Sequence, residues 1–485
     1  MTRRVAVVGG GISGLAAAYR LLQESPEPLE LLLIEASGRL GGVIQTDRSQ
    51  GVVLEGGPDS FLRRKPEALQ LSEELGLGSE VIGTNPNVRG AYIFYNGRFH
   101  DIPEGVQAGV PTRLEGLFKS ELLNQPEKFR LMADLALPRL PFEEDMALGR
   151  LLRYRFGDAY VDRIAAPMMS GIYAGDIDHL SCAVTAPQLL RLQQRGRSLI
   201  QESQKEALRA PRPAPGPSGG IFGTLARGLG TLVEALESRV RSQAQVMLAS
   251  PVETVDRTDA GYRLVLANQE SFEATDLIVA VPAYQAARIL TFWEDTERAL
   301  LSEIPYADLA VIGAVYQPAA FNRPLNKTGF LVPRNQVAEM TAGTWVRSKW
   351  NYPDTVDLVP VRAFYGRSGD RALLTKTDEE MLGQFRQDMG YIMGVTDVPS
   401  ISACFAFLKA CRNIWSGTNG GRKLSRRRFS AGRAFVSLAL ISMAWASRTA
   451  SGMPTRRRRS WSEAGAANAG AYSRFTGWHG YLAHH

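Results

Sequence analysis

The first apolar block of the chain, residues 5–8, is unbroken, and it runs straight into Gly9-Gly10-Gly11-Ile12-Ser13-Gly14 and then a helix-favouring stretch at 15–22. A short apolar run without polar alternation is the pattern of a parallel strand buried on both faces, so the order predicts strand, tight turn and helix. A second apolar block, Leu29–Ile34, ends in Glu35. Beyond Pro66 the apolar positions take helical spacing, with Leu69, Leu71, Leu75 and Leu77 set among acids. Asn96-Gly97 between residues 92–95 and 99–102 predicts a two-residue hairpin. From 111 to about 209 the pattern is amphipathic helix, and the proline-rich segment 211–220 breaks it into a loop or linker. A helix is expected within 224–236, and strands at 245–249, 262–266 and 276–283. Between Tyr306 and about Gly394, apolar and polar residues alternate as in a sheet with one covered face.

These elements predict an α/β protein with a discontinuous, Rossmann-like dinucleotide-binding domain formed by residues 1–66 and 216–295. A helical insertion at 67–215 separates its halves. A mixed α+β substrate domain follows at 296–399, and an atypical basic tail at 400–485.

Composition adds little until charge is followed along the chain. A 45% hydrophobic and 22% charged make-up over 485 residues is ordinary for a globular protein. Three cysteines and five histidines form neither a disulfide framework nor a spaced metal-ligand set, and no run approaches the roughly 18 apolar residues of a membrane span. A cytoplasmic protein, soluble or peripheral to a membrane, is expected. The formal charge of +7 is concentrated at one end: from residue 400 onward there are twelve arginines and two lysines against Glu463, a net +13, which leaves the body at −6. A basic surface for nucleic acid is therefore not expected of the folded part.

The turn carries the chemistry. Gly9 permits the tight bend, Gly11 lets a pyrophosphate approach the backbone, and Gly14 lets helix and strand pack closely, while Ile12 and Ser13 open a helix whose N-terminal amides face the phosphates. Glu35, at the end of the next strand and about 20 residues on, sits where a carboxylate accepts ribose hydroxyls. NAD and FAD share this fingerprint.

The residues after Glu35 separate the two. Ala36-Ser37-Gly38-Arg39-Leu40-Gly41-Gly42-Val43 resembles a segment of the amine oxidase and porphyrinogen oxidase flavoproteins, in which the arginine and glycine backbone lie along the pyrophosphate. Gly57-Pro58-Asp59-Ser60 is similar to the stretch whose backbone passes the isoalloxazine ring in that group, and Val252 stands where the group makes its backbone contact to adenine. The resemblance implies FAD. Residues 167–181, with Gly171-Ile172-Tyr173-Ala174-Gly175-Asp176 at their centre, closely resemble a segment of protoporphyrinogen and coproporphyrinogen oxidases, which implies that Gly171 and Tyr173 shape the substrate cavity. The implied reaction is a three-step, six-electron oxidation of a porphyrinogen, with hydride passing to flavin N5, O2 restoring the flavin and H2O2 released, as a step of haem biosynthesis. No catalytic side chain and no metal is assigned, since the cofactor carries the chemistry. An apolar product favours transient contact with a membrane; the oligomeric state is not legible.

One departure bears on the substrate. Plant and animal members carry an arginine immediately before the Tyr-Ile of the hairpin, and here that position is Ala91. Protoporphyrinogen IX and coproporphyrinogen III both remain open, as do an amine oxidase or carotenoid desaturase and an inactive product with a damaged C-terminus.

The tail supports that last reading. The family closes its FAD site with a C-terminal segment containing Gly-x-Gly-Ile-Pro-Asp-Cys, which this chain does not show. Met and Trp have single codons, so Ser442-Met443-Ala444-Trp445-Ala446 can be read from the third base of each codon; that frame forces Gly, then Leu, Met or Val, then Gly, and codon choices through Ser451 complete HGVGIPDCI. Residues 409–418 permit GMPQYLVGH in the same frame. A frameshift between about 394 and 404 is the expectation.

Overall fold

The computed structural model describes residues 3–107, 109–141, 143–209, 220–353, 356–370 and 375–400, with the backbone alone at 50, 401–412 and 434–435. In the strand Arg3–Val8, Val5 and Val7 enter one core while Ala6 and Val8 enter another, none more than 4% exposed. The two-residue period of a strand thus loads both faces of the sheet. This strand is the centre of five parallel strands ordered Gln245–Met247, Leu29–Ile34, Arg3–Val8, Asp276–Val279 and Ala434–Phe435. Helices Ile12–Glu24 and Gly230–Arg241 cover one face. An antiparallel meander, Val252–Thr258, Gly261–Leu266 and Ser271–Ala274, contributes to the core on the other. The parallel sheet is therefore assembled from distant parts of the chain.

A second, seven-stranded sheet runs Ile401–Arg412, Tyr306–Tyr316, Val359–Tyr365, Ala342–Trp345, Gly329–Leu331, Tyr92–Tyr95 and Arg98–Asp101. Helix Asp378–Met393 lays Met381, Phe385, Met389 and Ile392 into its core. That helix starts at a capping box, Thr377 with Glu380, and stops at Gly394 with φ +69°. Between the two sheets in sequence stand the helices around Leu148–Phe156 and Ala166–Tyr173, with a core of their own. A π-turn over Val161–Ala165 precedes Pro167, which has no N–H to give to a regular turn.

Two elements fall outside the expected pattern. The hairpin Tyr92–Asp101 forms as the Asn96-Gly97 turn predicts, with φ of +50° and +73°. It lies inside the stretch read as helical insertion, yet it joins the substrate sheet by parallel pairing of Tyr92 with Phe330. Likewise Ile401–Arg412, at the start of the expected tail, pairs antiparallel with Tyr306–Tyr316 from Ile401↔Val315 to Arg412↔Tyr306. The rest of the tail, residues 413–433 and 436–485, lies outside the described residues, as does the proline-rich loop up to 219. Among the described residues no helix is long and apolar enough to cross a membrane.

Candidate cofactor and substrate site

The glycine turn is built as its spacing requires. Gly9 sits at φ +106°, where a side chain would strike the Ala280 carbonyl at 2.5 Å, and a Cβ on Gly14 would stand 1.8 Å from the Gly9 carbonyl. Gly11 differs, because a Cβ there meets nothing closer than the Gly42 Cα at 3.9 Å. The side of Gly11 that would carry a side chain therefore faces open space at the head of the helix that begins with Ile12 and Ser13. That helix has no side-chain cap and no acid in its first turn, so no side chain caps its leading amides among the described residues.

Glu35 closes the crevice from the second strand. Its Oε2 accepts the Gly10 amide at 2.6 Å, and its Oε1 accepts both the Ser37 amide and the Ser37 hydroxyl at 2.8 Å. The loop from Ala36 to Val43 lies alongside the turn, with the Gly41 amide donating to the Gly10 carbonyl at 2.9 Å. Gly42 takes φ +59° there. The Arg39 guanidinium, expected along a pyrophosphate, donates to the carbonyls of Leu40, Gly42 and Ile44 and so braces the loop that carries Gly41 and Gly42. Burial lowers the pKa of that guanidinium, and the Glu35 carboxylate opposes the shift. Val252 is buried just after the 249–251 segment, whose Ala249 and Ser250 amides donate to the Ser37 and Glu35 carbonyls.

The segment Gly57-Pro58-Asp59-Ser60 is buried on the far side of this loop. Gly57 backs onto Val43 so closely that a Cβ would lie 1.9 Å from its carbonyl. Asp59, 3% exposed, is the hub of a charge network that local sequence does not reveal. Its Oδ2 is 2.7 Å from Lys349 Nζ, 2.9 Å from Arg362 Nη1 and 3.3 Å from Trp350 Nε1. The Arg362 guanidinium also donates to the carbonyls of Glu55 (2.7 Å) and Gly57. Glu55 itself is buried, and its side chain accepts from Thr46 at 2.6 Å and from the Leu229 amide. Burial pushes its carboxyl up to about 7, against the pull of those hydrogen bonds and of Arg362. The one signal in the sequence was an arginine inside the otherwise apolar strand Val359–Tyr365.

A cavity of about 360 Å³ opens between Asp59 and the helical insertion. Gly171 and Tyr173 line it together with the turn through Asp178, and Gly329–Leu331 and Ala342 to Thr344 line it from the sheet. Tyr173 donates its hydroxyl to the Thr185 carbonyl at 3.0 Å, and burial raises its pKa. Ala174 closes the helix in the left-handed region at φ 50°. Ala91 is on the same wall, and so are Arg153, Arg334 and Arg367, which the sequence reading did not single out. The sequence-predicted residues thus divide into a crevice beside the glycine turn and a cavity wall, with Asp59 on the side of both.

Residues 12–416 match the family described as flavin containing amine oxidoreductase. The coproporphyrinogen III oxidase of Bacillus subtilis (strain 168) is 33% identical over 404 residues, 82% of this chain and 85% of that protein. Protoporphyrinogen oxidase 1, chloroplastic, of Arabidopsis thaliana is 26% identical over 80% of this chain and 74% of its own length. A crystal structure from Exiguobacterium sp. 255-15, assigned as a protoporphyrinogen oxidase, superposes with a TM-score of 0.80 at 30% identity, covering 91% of this chain and 95% of that one.

Proposed function

We infer the reaction from the premise that the chain belongs to the flavin containing amine oxidoreductases and, within them, to the porphyrinogen oxidases. It is an FAD-dependent oxidoreductase of porphyrin and haem biosynthesis that oxidises a porphyrinogen. The finer reading is coproporphyrinogen III as the substrate, with O2 as the final acceptor. Ala91 in place of an arginine, and the higher identity to the coproporphyrinogen enzyme than to the plant protoporphyrinogen enzyme, support it.

The open side of Gly11 fits the cofactor's pyrophosphate, and Glu35 offers a fixed carboxylate to its ribose. In this reading Gly9 to Gly14, Arg39, Gly42 and Val43 lie along the phosphates, Glu35 and Ala36 hold the sugar, Val252 the adenine, and Gly57 to Ser60 border the ring. When bound, the flavin accepts hydride equivalents from the substrate's methylene bridges and returns them to O2. The protein contributes position and dryness. The Ala166–Tyr173 helix and the sheet hold the macrocycle, puckered by its saturated methylene bridges, between them, and Tyr173, its hydroxyl turned to Thr185, presents no titrating group at neutral pH. Asp59 pairs with both Lys349 and Arg362 at the floor of the cavity, which offsets one of their two positive charges and fixes both side chains there.

The observation that carries this reading is the position of the Gly171 to Asp176 segment on a cavity whose wall includes Asp59. Flavin-loaded protein is incubated in air with coproporphyrinogen III and, separately, protoporphyrinogen IX, and porphyrin fluorescence and H2O2 are followed. Faster fluorescence growth with coproporphyrinogen III is expected. Loaded protein that oxidises a primary amine or a polyene but neither porphyrinogen would overturn the reading.

A further inference from the structure

We propose that Arg334 and Arg367 form a clamp for a substrate carboxylate, placed so that it takes a propionate that coproporphyrinogen III has and protoporphyrinogen IX lacks. The proposal rests on the porphyrinogen reading and assigns the residues that choose within it.

Among the described residues, five cationic side chains line the cavity: Arg153, Arg334, Lys349, Arg362 and Arg367. Arg153 is matched in excess, whereas Lys349 and Arg362 divide one carboxylate. Arg153 meets Asp158, Asp162 and Asp178 at 3.1, 2.7 and 2.8 Å, and Lys349 and Arg362 share Asp59. Arg334 reaches Asp176 only at 3.5 Å, and that carboxylate lies at the same distance from His179. Arg367 gives one nitrogen to two neutral acceptors, the Val332 carbonyl at 3.1 Å and the Pro333 carbonyl at 3.4 Å, and among the described residues no carboxylate pairs with it.

Those two carbonyls immediately precede Arg334, so the two guanidiniums belong to adjacent pieces of the same wall. Burial and the positive charge of Arg334 together push Arg367 down to about 10, with Asp370 opposing them. A partly buried cation beside an exposed one of the same sign is a cost the fold carries, and an anion set between them lowers it. Local backbone holds the arrangement: Gly366 takes φ +97° where a Cβ would meet the Asp308 carbonyl at 2.3 Å, so the turn delivering Arg367 is fixed. The planar donors of guanidinium suit a carboxylate. Both porphyrinogens bear two propionates on neighbouring rings, and the tetracarboxylate bears two more where the dicarboxylate has vinyl groups. With a methyl at Ala91, Arg367 is the cation on this wall that meets no carboxylate among the described residues, and with Arg334 beside it the pair is assigned to the propionates that only the larger anion presents.

The test uses the full chain and Arg334→Gln, Arg367→Gln and Arg367→Lys. Binding of the products coproporphyrin III and protoporphyrin IX is titrated by fluorescence, and kcat and KM are measured for both porphyrinogens. Each Gln variant is expected to weaken coproporphyrin III binding and raise the matching KM by about tenfold or more, the size of a lost charged hydrogen bond. Protoporphyrin IX should change less than about threefold, and Arg367→Lys should recover part of the loss. Should a Gln variant fold poorly, salt decides on the unaltered chain, whose coproporphyrin III binding must weaken more steeply with ionic strength than its protoporphyrin IX binding. Equal losses for both porphyrins, or none, overturn the clamp. If the unaltered, flavin-loaded chain neither binds porphyrins nor oxidises porphyrinogens, the function itself has failed; if it does both and the variants match it, only the clamp has.

Discussion

Glu35 Oε2 accepts the Gly10 amide at 2.6 Å, which ties the acid ending the second strand to the turn that follows the first. Because its other oxygen is held by Ser37, the carboxylate is fixed before any sugar arrives. Glu35→Gln keeps the shape and removes the charge. FAD is expected to bind about tenfold or more weakly, in line with the loss of charged hydrogen bonds. Flavin fluorescence titration measures it, with far-UV circular dichroism confirming an unchanged fold. An unchanged affinity would remove Glu35 from the site.

Gly11 and Gly14, three residues apart, should fail in different ways. At Gly14 the added methyl would lie 1.8 Å from the Gly9 carbonyl, so Gly14→Ala must push helix from strand and lower the melting temperature with or without flavin. At Gly11 it points into open space, so Gly11→Ala should melt like the parent as apoprotein and lose FAD affinity alone. Equal melting losses in the two apoproteins would contradict the assignment of that space to the cofactor.

The same contrast between local and distant partners explains what the sequence made legible. Strand, glycine turn, helix and Glu35 lie within 35 consecutive residues, and the spacing alone placed them. Asp59 is different: its partners Lys349 and Arg362 stand some three hundred residues away, and no periodicity links them. The hairpin was legible from Asn96-Gly97, but its sheet was not, since Tyr92 pairs with Phe330 across a long separation. Arg334 and Arg367 were not expected as site residues because each stands beside a loop and gains its meaning from the cavity they share.

Glu55 gives stability a pH dependence of known sign. Its carboxyl is raised to about 7 in the fold, mainly by burial, from an ordinary value of 4.5. Below pH 4.5 both states hold the proton; between 4.5 and 7 the unfolded chain releases it first, so stability falls as pH rises; above 7 both are ionised and the effect levels off. Relative to Glu55→Gln, the parent should therefore lose stability from pH 5 to pH 8. Urea melts of both proteins at the two pH values check this. A parent that gains stability relative to the variant over that interval would show that the carboxylate is held ionised by Thr46, Leu229 and Arg362.

The change of charge from −6 before residue 400 to +13 after it requires an explanation that folding does not supply. Two windows, 409–418 and 442–451, admit GMPQYLVGH and HGVGIPDCI in one displaced frame and in the order in which the family places such segments. Codon degeneracy leaves freedom at each position, but the single codons of Met443, Trp415 and Trp445 restrict it, and one displacement serves both windows. The coding DNA is therefore expected to spell both peptides when read from the third base of each present codon, with the displacement lying between about 394 and 404. Either peptide missing from that frame ends the explanation. With the frame restored, the closing segment that the family lays against the flavin would return, and cover withheld from apolar surface weakens a ligand site by mass action. Protein expressed from the restored frame should keep FAD through gel filtration at a ratio near one, above that of the present chain under the same conditions. Equal retention by the two would mean that residues 3–400 already hold the cofactor unaided.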